Sequence, residues 1–173
     1  MKRSLKFLSL LLLSSALFLT ACEKDDNNAS TTLNVRLTDS PADYDEVNVD
    51  VKEIRVKFSN DTAQTGWTTL DTDAGVYNLL DFQDGKDTLI ATASVPSKTV
   101  QQIRLVLGEN NTIKVNGIEF PLTIPSGSES GLKIMLNKKL SQPVETITVD
   151  FDAALSVHEE NGAYKLKPVI QIK

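Results

Sequence analysis

Beyond residue 31, apolar and polar residues alternate with period two over most of the chain, the repeat expected of strands that bury one face. Leu33, Val35 and Leu37 alternate with Asn34, Arg36 and Thr38, and the run stops at Thr38-Asp39-Ser40-Pro41, a cluster of turn formers. Val47, Val49 and Val51 then carry apolar side chains at odd positions, whereas Ile54, Val56 and Phe58 carry them at even ones. One extra residue inside a continuous strand produces that change of phase, so a β-bulge is expected near Lys52-Glu53. A polar loop over 60–66 leads into a short strand from Trp67 to Leu70. Val76 to Phe82 fits either a strand or a helical turn and is closed by Asp84-Gly85.

Val100 to Leu107 is a strand with Ile103, Leu105 and Leu107 on one face. Thr112–Val115 and Ile118–Ile124 flank Asn116-Gly117, the strongest short hairpin signal, because both central residues of a type I′ turn need positive φ. Leu132, Ile134 and Leu136 mark another strand. Ile147, Val149, Phe151, Leu155 and Val157 form the longest alternation, which turns at Asn161-Gly162 into a terminal strand over Tyr164–Ile172. Pro168 in that strand lacks a donor N–H and belongs on a sheet edge or at a bulge. No segment beyond a turn or two keeps a 3.6-residue period. The expectation is therefore an all-β, antiparallel β-sandwich of about eight or nine short strands, or a barrel.

The N-terminus changes the picture of where this domain resides. Lys2, Arg3 and Lys6 precede an almost uninterrupted apolar stretch from Phe7 to Ala21, too short for a membrane span of about 20 residues and suited to an export signal. It ends in Leu19-Thr20-Ala21-Cys22, the pattern of a lipobox, in which small residues admit the signal peptidase and the Cys22 thiol accepts diacylglycerol. Residues 1–21 are thus expected to be cleaved, and 22–30 to form a lipidated cysteine with a flexible tether. Residues 31–173 are expected to form one domain. Each acyl CH₂ contributes roughly 0.8 kcal/mol of membrane binding, so two or three chains hold firmly. Cys22 is the only cysteine, so the domain has no disulfide and no thiol chemistry. The tether Glu23–Ser30 is polar throughout and reaches at most about 26 Å at full extension. Within it, Lys24-Asp25-Asp26 resembles the surface-export signal of Bacteroidota lipoproteins, which implies the outer face of the outer membrane.

Loss of residues 1–21 removes three of the 18 Lys and Arg and none of the 23 Asp and Glu, leaving a net charge of −8. With no basic patch evident along the chain, nucleic acid and anionic headgroups are poor partners.

Several stretches occur in an order that resembles a bacterial lipoprotein family. They are Thr38-Asp39-Ser40-Pro41, Tyr77-Asn78-Leu79-Leu80 before Asp84-Gly85, and Gln102-Ile103-Arg104-Leu105. Pro125-Ser126, Gly131-Leu132-Lys133-Ile134, Asp150-Phe151-Asp152-Ala153, Ser156-Val157 and Lys167-Pro168-Val169-Ile170 follow. Together they resemble the family called domain of unknown function 4382, over about Thr32 to Ile172. The chain departs from it at Pro96-Ser97-Lys98-Thr99-Val100, where Lys98 and Val100 replace the usual glycine and tyrosine. The resemblance implies a transthyretin-like β-sandwich in a cell-envelope lipoprotein, and it brings no activity and no site residues.

Candidate chemistry is sparse. Asp150 and Asp152 flank Phe151 and so project to one face of a strand, about 7 Å apart; such a pair could bind Ca²⁺ or act as acid and base, or simply be a solvated strand face. Asp39, Asp43 and Asp45, with the Tyr44 ring, cluster after the first strand, where oxygens could hold Ca²⁺ or bind sugar hydroxyls, or could form an ordinary Asx-turn. His158 is the only histidine, so no second one completes a metal site, and Ser156 two residues away shares its strand face without nucleophile geometry. Trp67, Tyr44, Tyr77 and Tyr164 could stack on sugars or pack in the core, and Trp67, after a polar loop, is the one placed for partial exposure.

No cofactor is called for. The sequence points to a non-enzymatic, lipid-anchored surface module that binds a glycan or an envelope protein, with Asp39, Asp43, Tyr44 and Trp67 as its candidate ligand residues. The alternatives are an adhesin-type component assembling through exposed strand edges, suggested by Lys165–Lys173, and a hydrolase using Asp150 and Asp152.

Overall fold

The computed structural model describes residues 29–59, 63, 65–125 and 131–173. Leu19, Thr20, Ala21, Cys22, Lys24, Asp25 and Asp26 lie outside the described residues, as do 60–62, 64 and 126–130.

Two sheets form around one core, as expected of a β-sandwich. The first comprises β1 (Ser30–Asp39), β4 (Asp71–Thr72), β6 (Thr88–Pro96), β11 (Val144–Phe151) and β14 (Ile170–Ile172), in the order β14-β11-β1-β6-β4. The second runs β10-β7-β2-β8-β9-β13-β12. Its members are β2 (Glu46–Lys57), β7 (Thr99–Leu107), β8 (Thr112–Val115), β9 (Ile118–Thr123), β10 (Leu132–Lys139), β12 (Val157–Glu160) and β13 (Ala163–Leu166). Two short strands, β3 (Thr68–Thr69) and β5 (Gly75–Asn78), also pair with β2.

Leu33, Val35 and Leu37 of β1 and Ile147, Val149 and Phe151 of β11 face the core from the first sheet. Val49, Ile54 and Val56 of β2 and Ile103 and Leu105 of β7 face it from the second. The register of β2 against β7 shifts between Val51 and Glu53, so the change of hydrophobic phase is a bulge, as the sequence predicts. Both Asn-Gly turns form with positive φ at both residues: Asn116 at 52° and Gly117 at 77°, Asn161 at 54° and Gly162 at 78°. The ambiguous segment over 76–82 contains both alternatives, β5 followed by a 3₁₀ turn over Leu79–Phe82.

Other features escape a local reading. The sheets are mixed rather than wholly antiparallel: β1 pairs with β11 in parallel over Thr32–Asp39 and Val144–Phe151, and β13 pairs with β9 in parallel. Strand β6 was not evident because a register shift in its ladder with β1 leaves both Ile90 and Ala91 buried, which destroys the alternation. The long alternation over 147–157 is interrupted by a helical turn, α1 (Ala153–Ser156), because the Asp152 side chain accepts a hydrogen bond from Leu155 N at 2.9 Å and caps it. The terminal strand is likewise two strands, β13 and β14, in different sheets, with Pro168 in the crossing between them.

One close approach links the two strands that extend the ladder along β2. Gly108, between β7 and β8, donates its N–H to Asp50 O at 2.7 Å, and a Cβ there would lie 2.2 Å from Asp50 Oδ2. Asp50 is itself buried, accepting from Asn110 N at 3.2 Å and pairing with Lys52 at 3.1 Å. Gly108→Ala should therefore destabilise the protein by about 1–3 kcal/mol through overpacking, read as a lower urea midpoint with an unchanged m-value.

Candidate functional site

Two places collect polar and aromatic groups, and they lie at opposite ends of β2. The first is where β1 and β11 end side by side. Thr38 Oγ1 bonds Phe82 O at 2.9 Å and Lys86 O at 2.8 Å, drawing the 3₁₀ turn and the loop after it onto β1. Asp39, 3% exposed, accepts from Ala153 N at 2.9 Å through Oδ1 and from Gln83 Nε2 at 3.0 Å through Oδ2. Asp150 is fully buried. Its carboxylate accepts from Gln171 Nε2 at 2.9 Å, pairs with Lys173 Nζ at 2.9 Å, and has Ser40 Oγ at 3.3 and 3.4 Å. Burial pushes the Asp39 carboxyl above its ordinary range, opposed by its hydrogen bonds and aided by the charge of Asp150. Chemically this is a latch: two buried carboxylates, each held by donors from other elements.

The second place is the outward face of the nine-stranded sheet. Arg55 and Lys57 of β2 alternate with core-facing Ile54 and Val56, and Arg104 of β7 lies between core-facing Ile103 and Leu105, so all three cations project away from the core; Lys57 and Arg104 are nonetheless buried, at 1% and 4% exposed, and Arg55 is half-buried. The register sets Thr69, Arg55, Arg104 and Lys133 in one row across β3, β2, β7 and β10. Like charges directly opposite on neighbouring strands are unfavourable, so the row concentrates positive potential at a cost. Trp67, half-buried, lies over this face with the Arg104 guanidinium carbon 4.2 Å and Lys57 Nζ 5.8 Å from its ring centroid. Lys57 Nζ also donates to Ala63 O at 2.8 Å, and Arg55 pairs with Glu53. The indole N–H of Trp67 is buried and has no acceptor among the described residues.

The family model described as "Domain of unknown function (DUF4382)" matches residues 30–168. The chain belongs to the DUF4382 family. No curated protein and no solved structure gives a significant match.

In this DUF4382 domain, several stretches that carry the resemblance meet at the latch. Thr38–Ser40 supply β1's end, and Asn78 caps the 3₁₀ turn through Leu80 N. Asp150 and Ala153 contribute the second carboxylate and a donor N–H, while Ser156 Oγ accepts from Val169 N at 2.8 Å and donates to Asp152 O. Far apart in sequence, these pieces tie one end of the sandwich together through hydrogen bonds rather than frame an open site.

The expected site residues do not form one constellation. Asp39 turns inward, Asp43 is exposed, and Tyr44 packs against the core from the β1–β2 connection. Asp45 Oδ2 instead accepts from Gly117 N at 2.7 Å, fastening that connection to the β8–β9 hairpin. Trp67 sits beside Lys57, about 36 Å along β2 from the strand's start at ~3.3 Å per residue. Asp150 and Asp152 do not share a solvated face either: Asp150 is inside the latch and Asp152 caps α1, beyond the strand's end. His158 is exposed on β12, while the Ser156 hydroxyl is committed to backbone. Among the described residues, no group of three or more His, Cys, Asp and Glu is arranged to hold a metal ion. Arg55, Arg104 and Lys133 were missed because each is an unremarkable polar position on its own strand and only the register makes them neighbours.

The latch generates a pH prediction. A carboxyl whose folded pKa is raised holds its proton more tightly folded than unfolded, so its contribution to stability falls as pH rises from about 3.8 through the raised folded value. Asp39→Asn keeps the acceptor for Ala153 N and removes the buried charge. The melting temperature of Asp39→Asn relative to the wild type should therefore climb as pH rises from 4 to 7, and Asp39→Ala, which orphans that N–H, should follow the same trend about 1–3 kcal/mol below Asp39→Asn throughout. Thermal melts across that range decide it.

Proposed function

We propose that this DUF4382 domain is a non-enzymatic binding module on the bacterial outer surface, held to the membrane by lipid on Cys22, and that its ligand is an acidic glycan. The observation that carries this reading is the aromatic ring set over a cationic row on an outward sheet face: Trp67 with Arg104 and Lys57 beneath it, flanked by Arg55 and Lys133. A sheet face is broad and nearly flat, which suits an extended polymer. Carboxylates or sulfates answer Arg55 and Lys133, the accessible cations of the row, and ring C–H faces of sugars answer the indole, while Arg104 and Lys57 lie buried beneath it. The Asp39 end fits ligand binding less well, because its carboxylates already have donors.

A uronic-acid polysaccharide should bind saturably, more tightly than its neutral counterpart, and more weakly as salt is raised, since the exposed charges are screened beyond about 8–10 Å. Trp67→Ala and Arg55→Glu should each weaken binding about tenfold or more by calorimetry. Equal affinity for neutral and acidic polymers, or full affinity in both variants, would sink the reading. The anchor has its own test. Cells fed labelled fatty acid should label the wild-type chain and leave Cys22→Ala unlabelled, and label retained in Cys22→Ala contradicts the assignment.

A further inference from the structure

The open edges of the two sheets differ in length. β4 has two residues, β14 three and β12 four, whereas β10, at the edge of the nine-stranded sheet, has eight. β10 pairs with β7 on one side only, among the described residues, so its other side presents unpaired backbone N–H and C=O groups. The ladder with β7 runs unbroken from Leu132–Leu105 to Met135–Gln102 and shifts only before Lys138. The first half of the edge is therefore regular enough to accept another strand.

The side chains state what that strand must be. Leu132, Ile134 and Leu136 pack against the core yet remain only half-buried, and among the described residues no strand is hydrogen-bonded along their outer side. On the opposite face Lys133, Met135 (61% exposed) and Lys139 stand in solvent. Lys138 reaches Glu145 of β11 at 3.0 Å, an ion pair across the seam between the sheets. A second copy docking edge to edge would set lysine against lysine, the arrangement by which edge strands resist self-association.

We propose that the β10 edge takes an extended segment of another envelope protein in which apolar and acidic residues alternate. Its apolar residues complete the cover over Leu132, Ile134 and Leu136, and its carboxylates meet Lys133 and Lys139 on the outer face. Main-chain bonds to β10 supply affinity, and the two alternating faces supply selectivity. This interaction uses the strand's edge rather than the Trp67 ring, and it shares Lys133 with the row of the glycan reading.

The test uses the purified full chain and three capped ten-residue peptides: alternating Val and Glu, alternating Val and Lys, and a block of Val followed by a block of Glu. The alternating Val–Glu peptide should bind saturably and slow amide hydrogen exchange within Leu132–Lys139 by about tenfold or more. The double variant Lys133→Glu with Lys139→Glu should exchange that preference for the Val–Lys peptide, while Trp67→Ala should leave it intact. The proposal is overturned if Val–Lys binds the wild type equally well, if the block peptide matches the alternating one, or if protection falls outside β10. Absence of binding at millimolar peptide, or dimerisation of the chain through β10, overturns it as well.

Discussion

The parallel ladder between β1 and β11 is the contact on which the rest depends. It registers Thr32 against Val144 at one end and Asp39 against Phe151 at the other, and so places Leu33, Val35 and Leu37 beside Ile147, Val149 and Phe151 as the floor of the core. The same register carries Asp39 to Asp150, and each carboxylate is then answered from elsewhere: Gln83 from the loop after the 3₁₀ turn, Ala153 from α1, and Gln171 and Lys173 from the C-terminal end. Burying two carboxylates together is costly unless their oxygens are bonded, and losing a single donor leaves a charge without a partner. The arrangement therefore couples the chain's C-terminal strand to its first. It also explains why groups that look catalytic in the sequence are structural in the fold.

That end of the sandwich is closed by its own hydrogen bonds, and the indole and cations on which the proposed binding rests lie on the other sheet. The bulge in β2 is the hinge of this arrangement. Before it, Val47, Val49 and Val51 face the core; after it, Ile54 and Val56 do, which sends Arg55 and Lys57 outward next to Arg104 of β7. Trp67 covers Arg104 and Lys57, and a cation against an indole face contributes about 0.5–2 kcal/mol. Positive charge is thus concentrated on one face of a chain whose overall balance is acidic. β10 continues the same sheet to an edge studded with lysines, so the face and the edge adjoin and meet at Lys133.

Local signals in the sequence predicted local structure well. The Asn116-Gly117 and Asn161-Gly162 hairpins, the bulge by Lys52-Glu53 and the two-sheet architecture all follow from turn chemistry and period. What was illegible depended on pairing between distant segments. Nothing in Leu33–Leu37 announces that its neighbour is Ile147–Phe151, nor that the neighbour runs parallel. Asp150 could not be told from a solvated carboxylate, because its burial comes from Lys173 and Gln171 on β14 and the residue after it. The long alternation through Leu155 concealed a helical turn, since Asp152 caps it with a side chain that the strand pattern also tolerates. The overall charge obscured the cationic row for the same reason: Arg55, Arg104 and Lys133 become neighbours only through register.

The proposed ligand face at Trp67 and the closed latch at Asp39 and Asp150 can be told apart in one experiment. The most direct measurement is a proton–nitrogen correlation spectrum of the protein titrated with a uronic-acid oligosaccharide. The Trp67 indole N–H resonance should shift with the amides around Arg55, Arg104 and Lys133, while those of Asp39, Ala153 and Gln171 stay in place. Shifts gathered at Asp39, Asp43 and Tyr44 with the Trp67 indole unmoved would contradict it.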